Sequence, residues 1–197
     1  RDRSVSRGLG DVYKRQMFSL PALRGYIVKT LKDNGKEVFE NPKDVFVSYQ
    51  LEPEENDELR YDVAIGSTSF SNLVSQYYEN NTTLFDKINH YGAQAVFLAF
   101  PYNNISAEHQ KTVLDFRYAL EDRIEKEILD TDGLGLLLGG AMGTCCCYMD
   151  FLLYDVKGFM EKVLPVLREY PQYSFYLSDF RQHCQLIKLT DAEMEGC

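Results

Sequence analysis

Residues 133–155 read GLGLLLGGAMGTCCCYMDFLLYD, and their reading decides the fold. Leu134, Leu136, Leu137 and Leu138 form an apolar run interrupted by Gly133, Gly135, Gly139 and Gly140. Glycine costs about 1 kcal/mol in a helix interior, so the run reads as a strand. Residues 144–154 are rich in aromatic and β-prone side chains and read as a second strand. Alternate residues of a strand share a face. Cys145, Cys147, Met149, Phe151 and Leu153 then form a core face, and Cys146, Tyr148, Asp150, Leu152 and Tyr154 a half-covered one. The spacing places the turn or bulge at Gly139–Gly143, where glycine supplies positive φ.

Elements are laid out on both sides of this hairpin. A helix from Ser19, with Leu20, Leu23, Ile27 and Leu31 on one face, is preferred to a hairpin about Asn34-Gly35. Strands follow at Val45–Leu51 and Leu59–Ile65, joined by an acidic connection. Phe70–Tyr91 is helical with a break near Asn80–Thr83. Ala93–Phe100 is a strand, and Ala107–Leu129 a helix with the stripe Val113, Phe116, Leu120, Ile124 and Ile128. Glu121 and Glu125 fall on its charged face. Beyond the hairpin come a helix from Val156 to Tyr170, a strand at Tyr173–Leu177, and a last strand at Cys184–Leu189.

The order strand, helix, strand, strand, helix, strand predicts an α+β chain. Its expected form is a ferredoxin-like split βαβ plait (βαββαβ) over residues 93–178. Residues 20–100 run helix, strand, strand, helix, strand, leaving open a second, incomplete plait ahead of it. The expected division is 1–16, 17–92 and 93–197. The segment ALEDRIEKEIL (119–129), the glycine-containing hairpin and the following helix resemble bacterial ferredoxin-like domains of unknown function. In layout they are near the regulator of ribonuclease activity B, and the resemblance implies no functional residue. Residues 1–16, RDRSVSRGLGDVYKRQ, resemble a translated sequencing-adapter read-through; they lack hydrophobic period and are expected to be disordered and not native.

Charge narrows the function classes. The chain of 197 residues carries a formal charge of −9, and −12 without the basic first sixteen residues. That balance argues against nucleic acid as the partner, because phosphate contact rests on Lys and Arg. No apolar run reaches the roughly 20 residues of a membrane span. The five cysteines, Cys145, Cys146, Cys147, Cys184 and Cys197, are odd in number and three are consecutive, which does not suit a disulfide framework. A reducing cytoplasm is the expected compartment.

The glycines fail both phosphate-loop patterns, since Leu138 and Ala141 stand where glycine and lysine are needed. Zinc could draw on Cys145, Cys147, His183 and Cys184, but the paired CxxC spacing is missing and packing is favoured. Hydrolysis would need Cys146 or Ser178 with His183 and Asp150 or Asp179. Asp150 is the carboxylate expected to be most perturbed, against the plainer reading of a sheet-face aspartate paired with Arg181 or with solvent. Tyr148, Leu152, Tyr154 and Tyr176 are expected on a sheet face that contacts another protein or is buried under the N-terminal half. The leading expectation is a non-enzymatic protein-binding or immunity-type regulatory domain without a cofactor. The alternative is a thiol- or metal-dependent enzyme using Cys145–Cys147 with His183.

Overall fold

The structure, a computed structural model, describes residues 20–36, 45–54, 58–103 and 106–192. Residues 1–16 and Cys197 lie outside that set. The chain forms two compact units divided after Asn41. In the first, helix α1 (Leu20–Asp33) ends at Gly35, whose φ is +64°. The Gly35 N–H donates to Lys32 O and the Lys36 N–H to Leu31 O, both at 2.9 Å. These are the bonds of a Schellman stop, so Asn34-Gly35 closes a helix instead of turning a hairpin.

The second unit is α+β. Its elements are β1 (Val47–Gln50), β2 (Val63–Thr68), α2 (Ser71–Tyr78), α3 (Thr83–His90), β3 (Gln94–Pro101) and α4 (Ala107–Ile124), then β4 (Gly135–Gly143), β5 (Cys146–Leu153), α5 (Val156–Leu167), β6 (Tyr176–Asp179) and β7 (Ile187–Lys188). A π-helical turn, Glu125–Leu129, extends α4 toward Gly133. All seven strands join one sheet in the order β1-β2-β4-β5-β3-β6-β7, with every neighbouring pair antiparallel. The crossovers β3–α4–β4 and β5–α5–β6 each step over one strand. β1 and β2 extend the same sheet, and α2 and α3 pack on its core, so among the described residues these elements form no separate sheet.

Helices cover both faces. On one, Val113, Leu120 and Ile124 of α4 and Phe159, Val163 and Leu167 of α5 pack on Val96, Leu98, Phe100, Cys147, Met149, Phe151 and Leu153. Phe116 packs against the same core from its partly buried position. On the other, Leu73 and Tyr77 of α2 and Phe85 of α3 pack on Ala95, Phe97, Ala99, Leu138, Ala141 and Tyr148. This double cover explains why residues 146–153 alternate in chemistry yet are buried on both sides.

Three local expectations are corrected. The hairpin turn is Thr144-Cys145, and β4 runs through the glycines to Gly143. Gly139 instead forms a bulge at φ +134°, where β2 comes so close that a Cβ would collide with the Ser67 carbonyl oxygen. The strand expected at Leu59–Ile65 begins at Val63, because Arg60 takes φ +71° and the chain turns there. Glu121 is not on a solvated face. Gly140 has no side chain to hold it off, and the carboxylate lies buried against β4.

Candidate functional site

The second face of the sheet holds a buried polar assembly. Arg60 is wholly buried, its guanidinium 4.4–5.7 Å from the ring centres of Phe180, Tyr148, Phe97 and Tyr77. Such rings offer their negative faces to a cation. Its Nη1 and Nη2 donate to Asp150 Oδ1 and Oδ2 at 2.5 and 3.2 Å, a bidentate pair. Burial works against the charge on Arg60, but Asp150, Tyr49 and Tyr78 together outweigh it and hold the guanidinium well above its ordinary value. Tyr78 Oη donates to the Arg60 carbonyl at 2.7 Å, fixing the left-handed turn. The partner of Asp150 is therefore Arg60, while Arg181 pairs with Asp86 and Asp179.

From Arg60 the network continues to the hairpin turn. The Arg60 N–H donates to Tyr148 Oη at 2.9 Å, and Tyr148 Oη donates to Asp62 Oδ1 at 2.5 Å. Asp62 Oδ2 accepts from the Cys145 N–H at 3.1 Å, the Cys146 N–H at 3.0 Å and the Cys145 thiol at 3.3 Å. The Thr144 N–H adds a bond to the Asp62 carbonyl at 2.9 Å. Among the described residues, Asp62, Cys145 and Cys146 bring three metal-ligating atoms within 4.8 Å of one another. Cys145 is exposed, Cys146 half-buried and Cys147 fully buried. Burial first, then the Asp62 charge, pushes the Cys146 thiol far above its ordinary value. Burial also pushes the Cys147 thiol up, to about 12.

Cys145 thus leaves the core face assigned to it, because the turn at Thr144-Cys145 interrupts the strand alternation. Tyr148 is wholly buried and offers no partner surface, since the second helical layer covers it. Leu152 and Tyr176 are half-buried, and Tyr154 is 50% exposed.

His183 lies elsewhere. Its Nδ1 meets Glu58 Oε1 at 2.8 Å beside a cleft of about 180 Å³ lined also by Ser178 and Cys184. Burial and the Asp179 charge push the Cys184 thiol up. Val96 of β3 pairs with Asp179, shortly before His183, whereas Pro101 pairs with Cys146. Five strand residues, about 17 Å, separate those positions. The structure therefore does not bring Cys146, Asp150 and His183 together, nor Cys145 and Cys147 with His183 and Cys184.

A second buried ion pair lies on the α4 side of the sheet. Arg117 Nε is 3.3 Å from Glu121 Oε1, with both side chains nearly excluded from solvent. Burial pushes the Glu121 carboxyl up to about 7, with Arg117 pulling it down and Asp150, across the sheet, pushing it further up. Sequence reading missed Arg60, Asp62 and this pair. The i,i+4 spacing of Arg117 and Glu121 was the one local signal.

No family model matches the chain, and neither a curated protein nor a solved structure matches it.

Proposed function

We propose that the chain is a cytoplasmic protein-binding domain, non-enzymatic and regulatory or immunity-type, built on a split βαβ plait over residues 93–178. The order β4-β5-β3-β6 and its two interleaved crossovers support the plait. The observation that carries the binding reading is the edge at β1. Phe46 and Val47 are 45% and 55% exposed there, beside Ile65 of β2 at 56%. The Leu51 N–H donates to Ala64 O at 3.0 Å. By the alternation of an antiparallel ladder, Val47, Tyr49 and Leu51 turn their backbone groups inward, and Ser48 and Gln50 turn theirs outward. An exposed edge of this kind accepts an added strand, with main-chain bonds giving affinity. Exposed Glu52 and Glu54 follow β1, so the fitting partner is an extended segment with apolar and basic residues.

The test is site-directed photocrosslinking at Val47 in the native host, paired with Ser48→Pro. That substitution blocks the outward bonds and spares the β1–β2 ladder. A crosslinked partner that is lost in the proline variant, at unchanged melting temperature, is the expected result. Capture that is indifferent to Ser48→Pro would remove the edge from the proposal.

A further inference from the structure

We infer that Asp62, Cys145 and Cys146 form a site for a thiophilic divalent ion of the Zn²⁺ class. This goes beyond the protein-binding reading and stands on different residues. Consecutive cysteines on a regular strand point to opposite faces and cannot share an ion. Here the turn at Thr144-Cys145 breaks that alternation at the start of β5, and the two thiol sulfurs come within 4.8 Å of each other. Asp62 arrives from the segment ahead of β2 and completes a triangle of donors whose edges are all within 4.8 Å.

The dimensions suit tetrahedral zinc. Zn–S near 2.3 Å and Zn–O near 2.0 Å set an S···O edge of about 3.5 Å. The Cys145 Sγ–Asp62 Oδ2 distance is 3.3 Å. Two thiolates and a carboxylate carry three negative charges, which a divalent cation largely offsets. Among the described residues, the hydrogen-bond donors that reach the Asp62 carboxylate are neutral: two backbone amides, the Cys145 thiol and the Tyr148 hydroxyl. Tyr148 binds the other carboxylate oxygen and is itself bound by the Arg60 amide, so the ligand is oriented by an outer layer of hydrogen bonds. Cys145 also lines a cleft of about 550 Å³ with Tyr102, Asn103, His109 and Tyr173. Water or a small ligand in that cleft would supply the fourth position of a tetrahedron.

Binding exchanges protons for the ion. Two thiols and one carboxylate become two thiolates and a carboxylate bound to Zn²⁺, with two protons released to solvent. In the free protein the Cys145 S–H points its proton at Asp62, and the metal takes over that contact.

The test titrates the reduced chain with Co²⁺ and with Zn²⁺. The expected result is one ion per chain, a thiolate-to-cobalt charge-transfer band that Zn²⁺ displaces, and about two protons released per ion at neutral pH. Cys145→Ser and Cys146→Ser should each abolish the band, and Cys184→Ser should leave it intact. Asp62→Asn should weaken Zn²⁺ binding while the band persists. If that variant unfolds by circular dichroism, the exposed Cys145→Ser substitution decides the matter. A band that survives Cys145→Ser, or the lack of both band and proton release in the parent chain, overturns the site.

Discussion

Replacing Glu121 by glutamine should change how stability depends on pH. Burial raises the Glu121 carboxyl from its ordinary 4.5 to about 7 in the folded protein. A carboxyl whose folded value lies above its unfolded value favours folding in its protonated form. Its contribution is fully present below about pH 4.5 and is lost as pH rises through about 7. At about 1.4 kcal/mol per pH unit of displacement, the loss between pH 5 and pH 8 is on the order of 2–3 kcal/mol. Glutamine keeps the size and polarity of the protonated acid and cannot ionise. Urea unfolding at pH 5 and pH 8, on the parent and on Glu121→Gln, isolates the difference from every other titrating group. The variant should match the parent at pH 5 and exceed it at pH 8. Equal pH dependence in the two proteins would refute the argument and mean that Arg117 holds the carboxylate ionised throughout.

Two other perturbations address the two faces of the sheet. Phe151 is fully buried against Phe159, and Phe151→Ala should cost about 3–5 kcal/mol in equilibrium unfolding; a near-neutral value would mean that the α4–α5 face repacks around the gap. Asp150→Asn leaves the wholly buried Arg60 without its counter-charge, with an expected loss of about 3–5 kcal/mol by the same measurement. A loss below about 1 kcal/mol would show that the surrounding rings and the Tyr49 hydroxyl, which accepts from Arg60 Nη2 at 3.3 Å, carry the guanidinium unaided.

The α4–α5 side was readable because its signal is local. The stripe Val113, Leu120, Ile124 repeats at helical spacing, and Cys147, Met149, Phe151 and Leu153 alternate. The opposite side was not readable, because its signals are distant. Arg60 sits in an acidic stretch and looks solvated, and its partner is 90 residues away. The α4 side has one exception of the same kind, Glu121, which looks like one charge among many on α4 until Gly140 is placed beneath it. The glycine run drew the hairpin turn to itself; what fixes the turn at Thr144-Cys145 is Asp62, 83 residues earlier in the chain than Cys145. Strand alternation assigns opposite faces to neighbours in the cysteine run, but it ceases where the strand does. Asp62 thereby escaped notice as the neighbour of Cys145 and Cys146.

The span between Arg60 and Asp150 also sets an order of assembly. Each hydrogen bond linking Arg60 to β5 closes a loop of about 90 residues, and loops that long are closed late, after nearer contacts have repaid part of the chain entropy. The strands and helices from β3 to α5 are near neighbours in the chain and supply those earlier contacts. Arg60 then enters a slot whose ring walls come from α2, β3, β5 and the loop after β6, so it enters when most of the second face is already standing. An interaction made that late scarcely affects the speed of folding and chiefly governs the speed of coming apart. Most of the loss on Asp150→Asn should accordingly appear as faster unfolding, which makes the buried pair a latch on the lifetime of the native state.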